Sequence, residues 1–330
     1  MKSFGKLVAG LLTACVIAPA SASAENVNIV LNWVPTADHM PYFYAKQAGW
    51  YEKEGLTVNI ESGRGSGAVA QKVGAGFSEF GIADMATVLL AKGQGADSVA
   101  LMTVYTNSPQ GFYWLKSKGI KGPEDFPKHS IGNPPADASR VMWPMFAEAV
   151  KIDPASVKFV NISPQAKVAS LKSGAIDITS DFYNEHDMKL REFGEDLGFV
   201  AWRDLGINPY GNSVIVNADY LKKNPELVRK FTQVTQKAFE ACVKDKNPCL
   251  DALLSQVSGL DRSNQENQWN RIQELMRDKT TTEVGLGAFD DARMKRDYDM
   301  VEKYFDLEKP FDFKTAYSND YLDLSIKMPK

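Results

Sequence analysis

Residues 69–84, VAQKVGAGFSEFGIAD, and residues 166–181, AKVASLKSGAIDITSD, share one design. Each holds a helix with a lysine, a glycine that stops it, a short apolar strand and a final aspartate, Asp84 in the first and Asp181 in the second. Glycine ends helices because it reaches the left-handed region without a steric cost. The internal similarity is weak and has one offset, and it supports two α/β lobes of like design. Around the first copy the residue pattern predicts strands at 27–31, 56–60, 80–83 and 98–105, with helices at 42–51 and 68–73. Around the second it predicts strands at 129–132, 157–161 and 176–179, with helices at 138–150 and 166–172. A strand at 214–216 and helices at 224–242, 264–277 and 290–304 follow. Strand–helix–strand order at this spacing argues for parallel sheets with helices on both faces. Hinges are expected near 116–121 and 203–208. The first lobe is then 25–117, the second 118–207, and 208–330 returns to the first lobe and ends in helices.

Of the 330 residues 44% are hydrophobic and 24% charged, enough apolar side chains for a real core. Thirty-eight basic against 41 acidic residues give a net charge of −3 with no basic block, which argues against a nucleic-acid partner. Residues 1–24 carry Lys2 and Lys6, an apolar centre at 7–17 and Ala22-Ser23-Ala24, the pattern of a cleavable export leader. Its apolar run falls well short of the roughly 20 residues that span a bilayer. Leu12-Thr13-Ala14-Cys15 also resembles a lipoprotein cleavage box, which would leave Cys15 lipidated. The A-x-A site downstream, at ordinary leader length, favours the free form. Cleavage there leaves Cys242 and Cys249, in CVKDKNPC. In an oxidising compartment two such cysteines usually pair, and Asn247-Pro248 is read as the turn between them. Two free thiols near a helix end remain the alternative, since a bridge needs Cα atoms within roughly 7 Å.

In open α/β sheets ligands bind beyond the carboxyl ends of the strands. The first lobe places Trp33, Asp38, His39, Tyr42, Ser66 of the Gly65-Ser66-Gly67 turn, Asp84 and Asn107 there. The second places Asn133, Ser139, Asp181, Tyr183 and Glu185, and Tyr210 and Asn212 lie where the chain returns. Arg64 and Arg140 are the only arginines near this set in the sequence. A sulfonate, nitrate or phosphate favours several arginines, or a helix N-terminus without competing acids. Aromatic faces and carboxylates instead suit a flat, nitrogen-rich, neutral or cationic ring with its N–H edge held by acids. Each residue also has a plainer role open to it. Trp33 can pack the core, Asp84 and Asp181 can cap helices, Glu185 can be a solvated rim charge, and Ser66 can serve only the turn. His39 and His186 lack metal-ligand spacing with Asp38 and Glu185, so no metal is expected. With three histidines and no G-x-S-x-G, a hydrolytic triad cannot be placed. No catalytic residue and no cofactor are expected.

The stretch LNWVPTADHMPYFYAKQAGWYEKEGLTVNI, residues 31–60, resembles the opening of periplasmic substrate-binding proteins of ABC importers, among them binders of thiamine's pyrimidine precursors. It also resembles the hydroxymethylpyrimidine phosphate synthases that share their fold. The likeness continues through NPELVRKF and covers most of 27–240. It implies a two-lobe periplasmic binding protein fold, type II-like, each lobe a sheet flanked by helices, with the ligand cleft between them. It further implies a monomer that delivers a small molecule to a membrane permease with a cytoplasmic ATPase. Carried over residue by residue, Trp33, His39 and Tyr42 would line the pocket, and DFYNEHD would bring Asp181, Tyr183 and Glu185. The synthases carry a CCCFC run where this chain reads GINPYGNS, residues 206–213. Their cofactor-lysine region matches GAGFSEFGIADM, residues 74–85, which holds no lysine. These departures disfavour an enzyme. A synthase, a sulfonate- or nitrate-type receptor, and a sensor partnering a membrane kinase are the alternatives.

Overall fold

The computed structural model describes residue 1 and residues 24–329; apart from Met1 and Ala24, the expected leader lies outside the described residues. Ten strands are described: β1 (Glu25–Val30), β2 (Leu56–Glu61), β3 (Phe80–Asp84), β4 (Ser98–Thr103), β5 (Gln110–Leu115), β6 (Ser130–Asn133), β7 (Lys158–Asn161), β8 (Ile178–Phe182), β9 (Leu197–Ala201) and β10 (Asn212–Asn217). They form two five-stranded sheets, ordered β2-β1-β3-β10-β4 and β7-β6-β8-β5-β9. β1 runs parallel to β2 and β3, and β6 parallel to β7 and β8. β10 is antiparallel to β3 and β4, and β5 to β8 and β9, so both sheets are mixed rather than parallel throughout.

Two of these strands, β5 and β9, have no counterpart in the sequence reading. β5, QGFYWL, is buried along its whole length, so it lacks the alternation that marks a strand with one solvated face. Its position moves the passage between lobes. The chain changes sheets between Thr103 and Gln110, and residues 110–117, assigned above to the first lobe, belong with the second sheet. The polar stretch after β5, with Lys116–Lys118 as a short 3-10 helix, follows a strand of the second sheet and so lies outside the passage between lobes. The chain returns between Ala201 and Asn212.

Each sheet has its own aromatic core. In the first lobe Phe80 of β3 stacks on Phe231 with ring centres 3.8 Å apart, and Tyr51 and Phe239 are buried nearby. In the second, Phe112 meets Phe126, Phe146 and Trp202. Burying a phenylalanine side chain contributes about 1.5–3 kcal/mol. Helix Pro225–Lys244 presents Val228, Phe231, Thr235, Ala238, Phe239 and Cys242 at three- and four-residue spacing to the first core. It stops at Asp245, whose carboxylate caps helix Lys246–Gln256 by accepting from the Asn247 N–H at 3.0 Å. The turn therefore falls at Asp245, and Asn247-Pro248 lie in the first turn of the next helix, where proline's missing N–H is harmless. Cys242 and Cys249 are bridged across these two helix ends, with Cα atoms 5.8 Å apart. Helix Arg262–Leu275 seats Trp269, Ile272 and Leu275 on the same lobe. Among the described residues no helix is long and apolar enough to cross a membrane.

Candidate functional site

Between the carboxyl ends of the two sheets lies a narrow cavity that opens to solvent. Asn32, Trp33, Thr36, Asp38, Gly65 and Ser66 line it from the first lobe. Gln110, Asp137, Ala138, Ser180, Asp181, Phe182, Asn184 and Glu185 line it from the second. The two lobes approach through backbone at one corner. The Gly67 N–H donates to the Ala136 carbonyl at 3.2 Å. Gly65, with φ of +124°, lies so near that a Cβ there would sit 2.2 Å from the same oxygen. Glycine is required at this position both by its conformation and by the contact.

Charge in the cavity is unequal. Asp137 caps the short helix Ala138–Val141, taking the Ser139 N–H and hydroxyl, the Ser180 hydroxyl, and the Lys167 ammonium at 2.8 Å. Asp181 takes the fully buried Lys189 at 2.6 Å. Burial pushes the Asp181 carboxyl up, but Lys189 and Lys167 outweigh it and hold the group below its ordinary range. Lys167 also reaches across the cleft, its ammonium 4.5 Å from the centre of the Trp33 ring. Two carboxylates are left without a lysine or arginine partner among the described residues, though the His39 ring lies 3.2 Å from Asp38. Asp38 accepts from the Thr36 hydroxyl at 2.6 Å and more loosely from the Asn212 amide at 3.4 Å. Glu185 has no lysine or arginine within ion-pair distance among the described residues, and burial, helped by Asp181 and Asp38 against Lys189, pushes it up to about 7.

The cavity also presents unpaired acceptors. Gln110 donates its amide to Asp84 at 3.1 Å, which leaves Gln110 Oε1 buried without a partner. Asn184 Oδ1 is likewise buried and unpaired. A buried acceptor without a donor costs about 1–3 kcal/mol, so a donor from a ligand would be stabilising at either.

Of the candidate residues, Trp33, Asp38, Ser66, Asp181 and Glu185 line this cavity. The others do not. His39 stands behind it: Nδ1 accepts from the Thr36 N–H at 3.1 Å, so Nε2–H donates to Asn32 Oδ1 at 2.9 Å and orients that side chain. Burial lowers the His39 pKa, keeping the ring neutral. Tyr42 belongs to the first core, edge-on to Phe239 at 5.4 Å, because helix Met40–Gln47 turns it inward. Asp84 lies beneath the cavity at the start of helix Met85–Gly93, pushed to about 6 by burial, and acts on the site through Gln110. Asn133 accepts the Ser180 N–H at 3.2 Å and Ser139 serves Asp137, so both support other side chains. Asn107 binds the Arg277 carbonyl and Asn208 along the passage between lobes. Tyr210 is buried, its hydroxyl accepting from the Asp290 N–H at 2.9 Å. Asn212 reaches the site only through Asp38. Tyr183 faces Arg203 and Arg271, arginines that the turns of the chain bring beside its ring from later in the sequence.

Sequence reasoning missed Asn32, Thr36, Gln110, Asp137, Ser180 and Asn184 among the lining residues, and Lys167 and Lys189 behind them. Asp137 had a readable signal, an aspartate ahead of Ala-Ser at a helix start. Gln110 had none, because its strand was not recognised. Among the described residues no group of three or more His, Cys, Asp or Glu side chains is arranged to hold a metal ion.

Two mixed sheets, two passages between them and a cleft at their carboxyl ends define the periplasmic binding protein fold. The chain superposes on the alkanesulfonate-binding protein SsuA of Xanthomonas axonopodis pv. citri with a TM-score of 0.68 and 12% identity, over 92% of this chain and 99% of that one. By sequence the chain belongs to the NMT1/THI5 like family, matched over residues 36–248. It is 23% identical to the riboflavin-binding protein RibY of Chloroflexus aurantiacus, over 97% of each chain. It is 24% identical to a formylaminopyrimidine-binding protein of Halalkalibacterium halodurans, over 77% of this chain and 79% of that one. A 4-amino-5-hydroxymethyl-2-methylpyrimidine phosphate synthase of Legionella pneumophila is also 24% identical, over 92% and 94%.

Proposed function

We propose that this chain is an exported receptor that binds a small N-heterocycle, a thiamine pyrimidine precursor or a similar ring, and delivers it to the permease of an ABC importer. One observation carries the reading: Trp33 shares a cavity with Gln110 Oε1 and Asn184 Oδ1, buried acceptors that lack donors, and with the carboxylates of Asp38 and Glu185, which have no lysine or arginine partner among the described residues. A ring lying against the indole and presenting N–H groups supplies the missing donors. The lining comes from both lobes, so only the closed arrangement offers the full set of contacts, and ligand stabilises closure. Two relatives, a riboflavin-binding and a formylaminopyrimidine-binding protein, bear names that agree with a nitrogen-rich ring. The leader pattern at 1–24 supports periplasmic export.

The synthase reading fares worse. His39 is bonded at both ring nitrogens and stands outside the cavity. Residues 206–213 hold no cysteine and residues 74–85 no lysine. A sulfonate or nitrate receptor would need cationic lining, whereas here no arginine lines the cavity and its two lysines are engaged by Asp137 and Asp181.

A thermal-shift panel tests the proposal, with riboflavin, 4-amino-5-hydroxymethyl-2-methylpyrimidine, taurine and nitrate as probes. A rise in melting temperature with a ring compound is expected. A rise with taurine or nitrate alone would overturn it, as would a pyridoxal phosphate absorbance band in the purified protein accompanied by turnover.

A further inference from the structure

Asn184 and Glu185, two of the cavity's acceptors, sit between Tyr183 and Asp187, and one side chain of the other lobe grips both flanks. Arg271 projects from helix Arg262–Leu275, which is seated on the first lobe by Trp269, Ile272 and Leu275. Its Nε donates to Asp187 at 3.0 Å and its Nη2 to the second oxygen of Asp187 at 2.9 Å. Its Nη1 donates to the Tyr183 hydroxyl, and the guanidinium carbon lies 4.9 Å from the centre of that ring. Arg203 lies 4.4 Å from the same ring and donates to the Ser108 carbonyl at 3.2 Å, in the passage between lobes. Arg271 thus ties Tyr183 and Asp187 of the second lobe to a helix of the first lobe, and Arg203 adds a contact from the passage between lobes.

We propose that Arg271 is a positioning residue for ligand recognition, a clasp that sets Asn184 and Glu185 in the cavity and holds the lobes together. An isolated surface ion pair contributes little, but a planar guanidinium engaging both oxygens of a carboxylate and a phenol at once fixes orientation as well as distance. A lysine cannot reproduce that geometry. The inference rests on the receptor reading for what Asn184 and Glu185 recognise, while the clasp itself can be read without ligand.

The test places nitroxide labels through Glu52→Cys on the first lobe and Ser173→Cys on the second, both at exposed positions. Inter-lobe distances are then measured in the ligand-free protein. Arg271→Ala and Asp187→Ala should each shift the distribution to longer distances, and the double variant should shift it no further than Arg271→Ala alone. Affinity for riboflavin or 4-amino-5-hydroxymethyl-2-methylpyrimidine should fall roughly three- to thirtyfold in the same variants, with Arg271→Lys recovering less than half of the loss. Distances unchanged in both single variants, with far-ultraviolet circular dichroism matching the parent, would overturn the clasp. If Arg271→Ala does not fold, Asp187→Ala decides alone, because it removes the same grip from a partly exposed side chain. Failure of the parent protein to bind either ring would count against the receptor reading and leave the distance result decisive for the clasp.

Discussion

In the proposed receptor Trp33 would offer the ring a face and Glu185 an acceptor at its edge. If a ring stacks on the indole, Trp33→Ala should weaken its binding by about 1–3 kcal/mol, the range seen for aromatic stacking on nucleobases, as read by calorimetry. Glu185 brings a pH dependence. With its carboxyl pushed up to about 7 it is protonated and neutral at pH 6 and ionised at pH 8. The ionised form is the better acceptor, so affinity for an N–H donor ring that does not itself titrate in this interval should rise with pH, by up to about tenfold. Glu185→Gln should flatten that rise. Trp33, Asp38, Asp181 and Glu185 were legible in the sequence as cavity-lining positions because each follows the carboxyl end of a strand that the residue pattern marks. His39 and Tyr42 were not distinguishable from them by that rule. Helical geometry turns Tyr42 into the core, and a two-sided hydrogen bond holds His39 behind Asn32.

At the scale of elements, the loop at Gly65 and the strand β5 determine how the lobes meet. Gly65→Ala adds a methyl where the Ala136 carbonyl already sits and forces a residue other than glycine to positive φ, a strain of order 1–3 kcal/mol. Closure should be hindered, so ligand affinity is expected to fall more than the melting temperature does, with calorimetry and thermal melts read side by side. The Cys242–Cys249 bridge has a different reach. It closes a short loop between two helix ends and contributes no residue to the cavity lining, so the paired change of both cysteines to serine should cost about 2 kcal/mol in denaturant unfolding and leave binding unchanged. The βαβ units were readable because their strands alternate with amphipathic helices. β5 was not, because a strand buried on both faces reads as a plain apolar run and the polar 116–118 turn imitates a boundary.

Across the whole molecule, buried acids outside the cavity lining set how stability responds to pH. Burial pushes Asp297 up to about 7 and Asp84 up to about 6. In the unfolded chain both release their protons near pH 4, so between pH 4 and 7 the folded state binds more protons and stability falls as pH rises. The melting temperature of the ligand-free protein should therefore be higher at pH 5 than at pH 7.5, and Asp297→Asn should shrink that difference. Asp297 accepts the Tyr210 N–H at 2.9 Å, close to where the chain returns to the first sheet, so its cost is built into the passage between lobes. No sequence pattern marked it, since a lone aspartate on a helix is ordinarily a solvated charge. The central claim is that both lobes close on one planar guest, and small-angle X-ray scattering tests it most directly. The protein is measured empty and then saturated with whichever ring compound raises its melting temperature most. A smaller radius of gyration in the saturated sample is expected; superimposable curves would contradict the account.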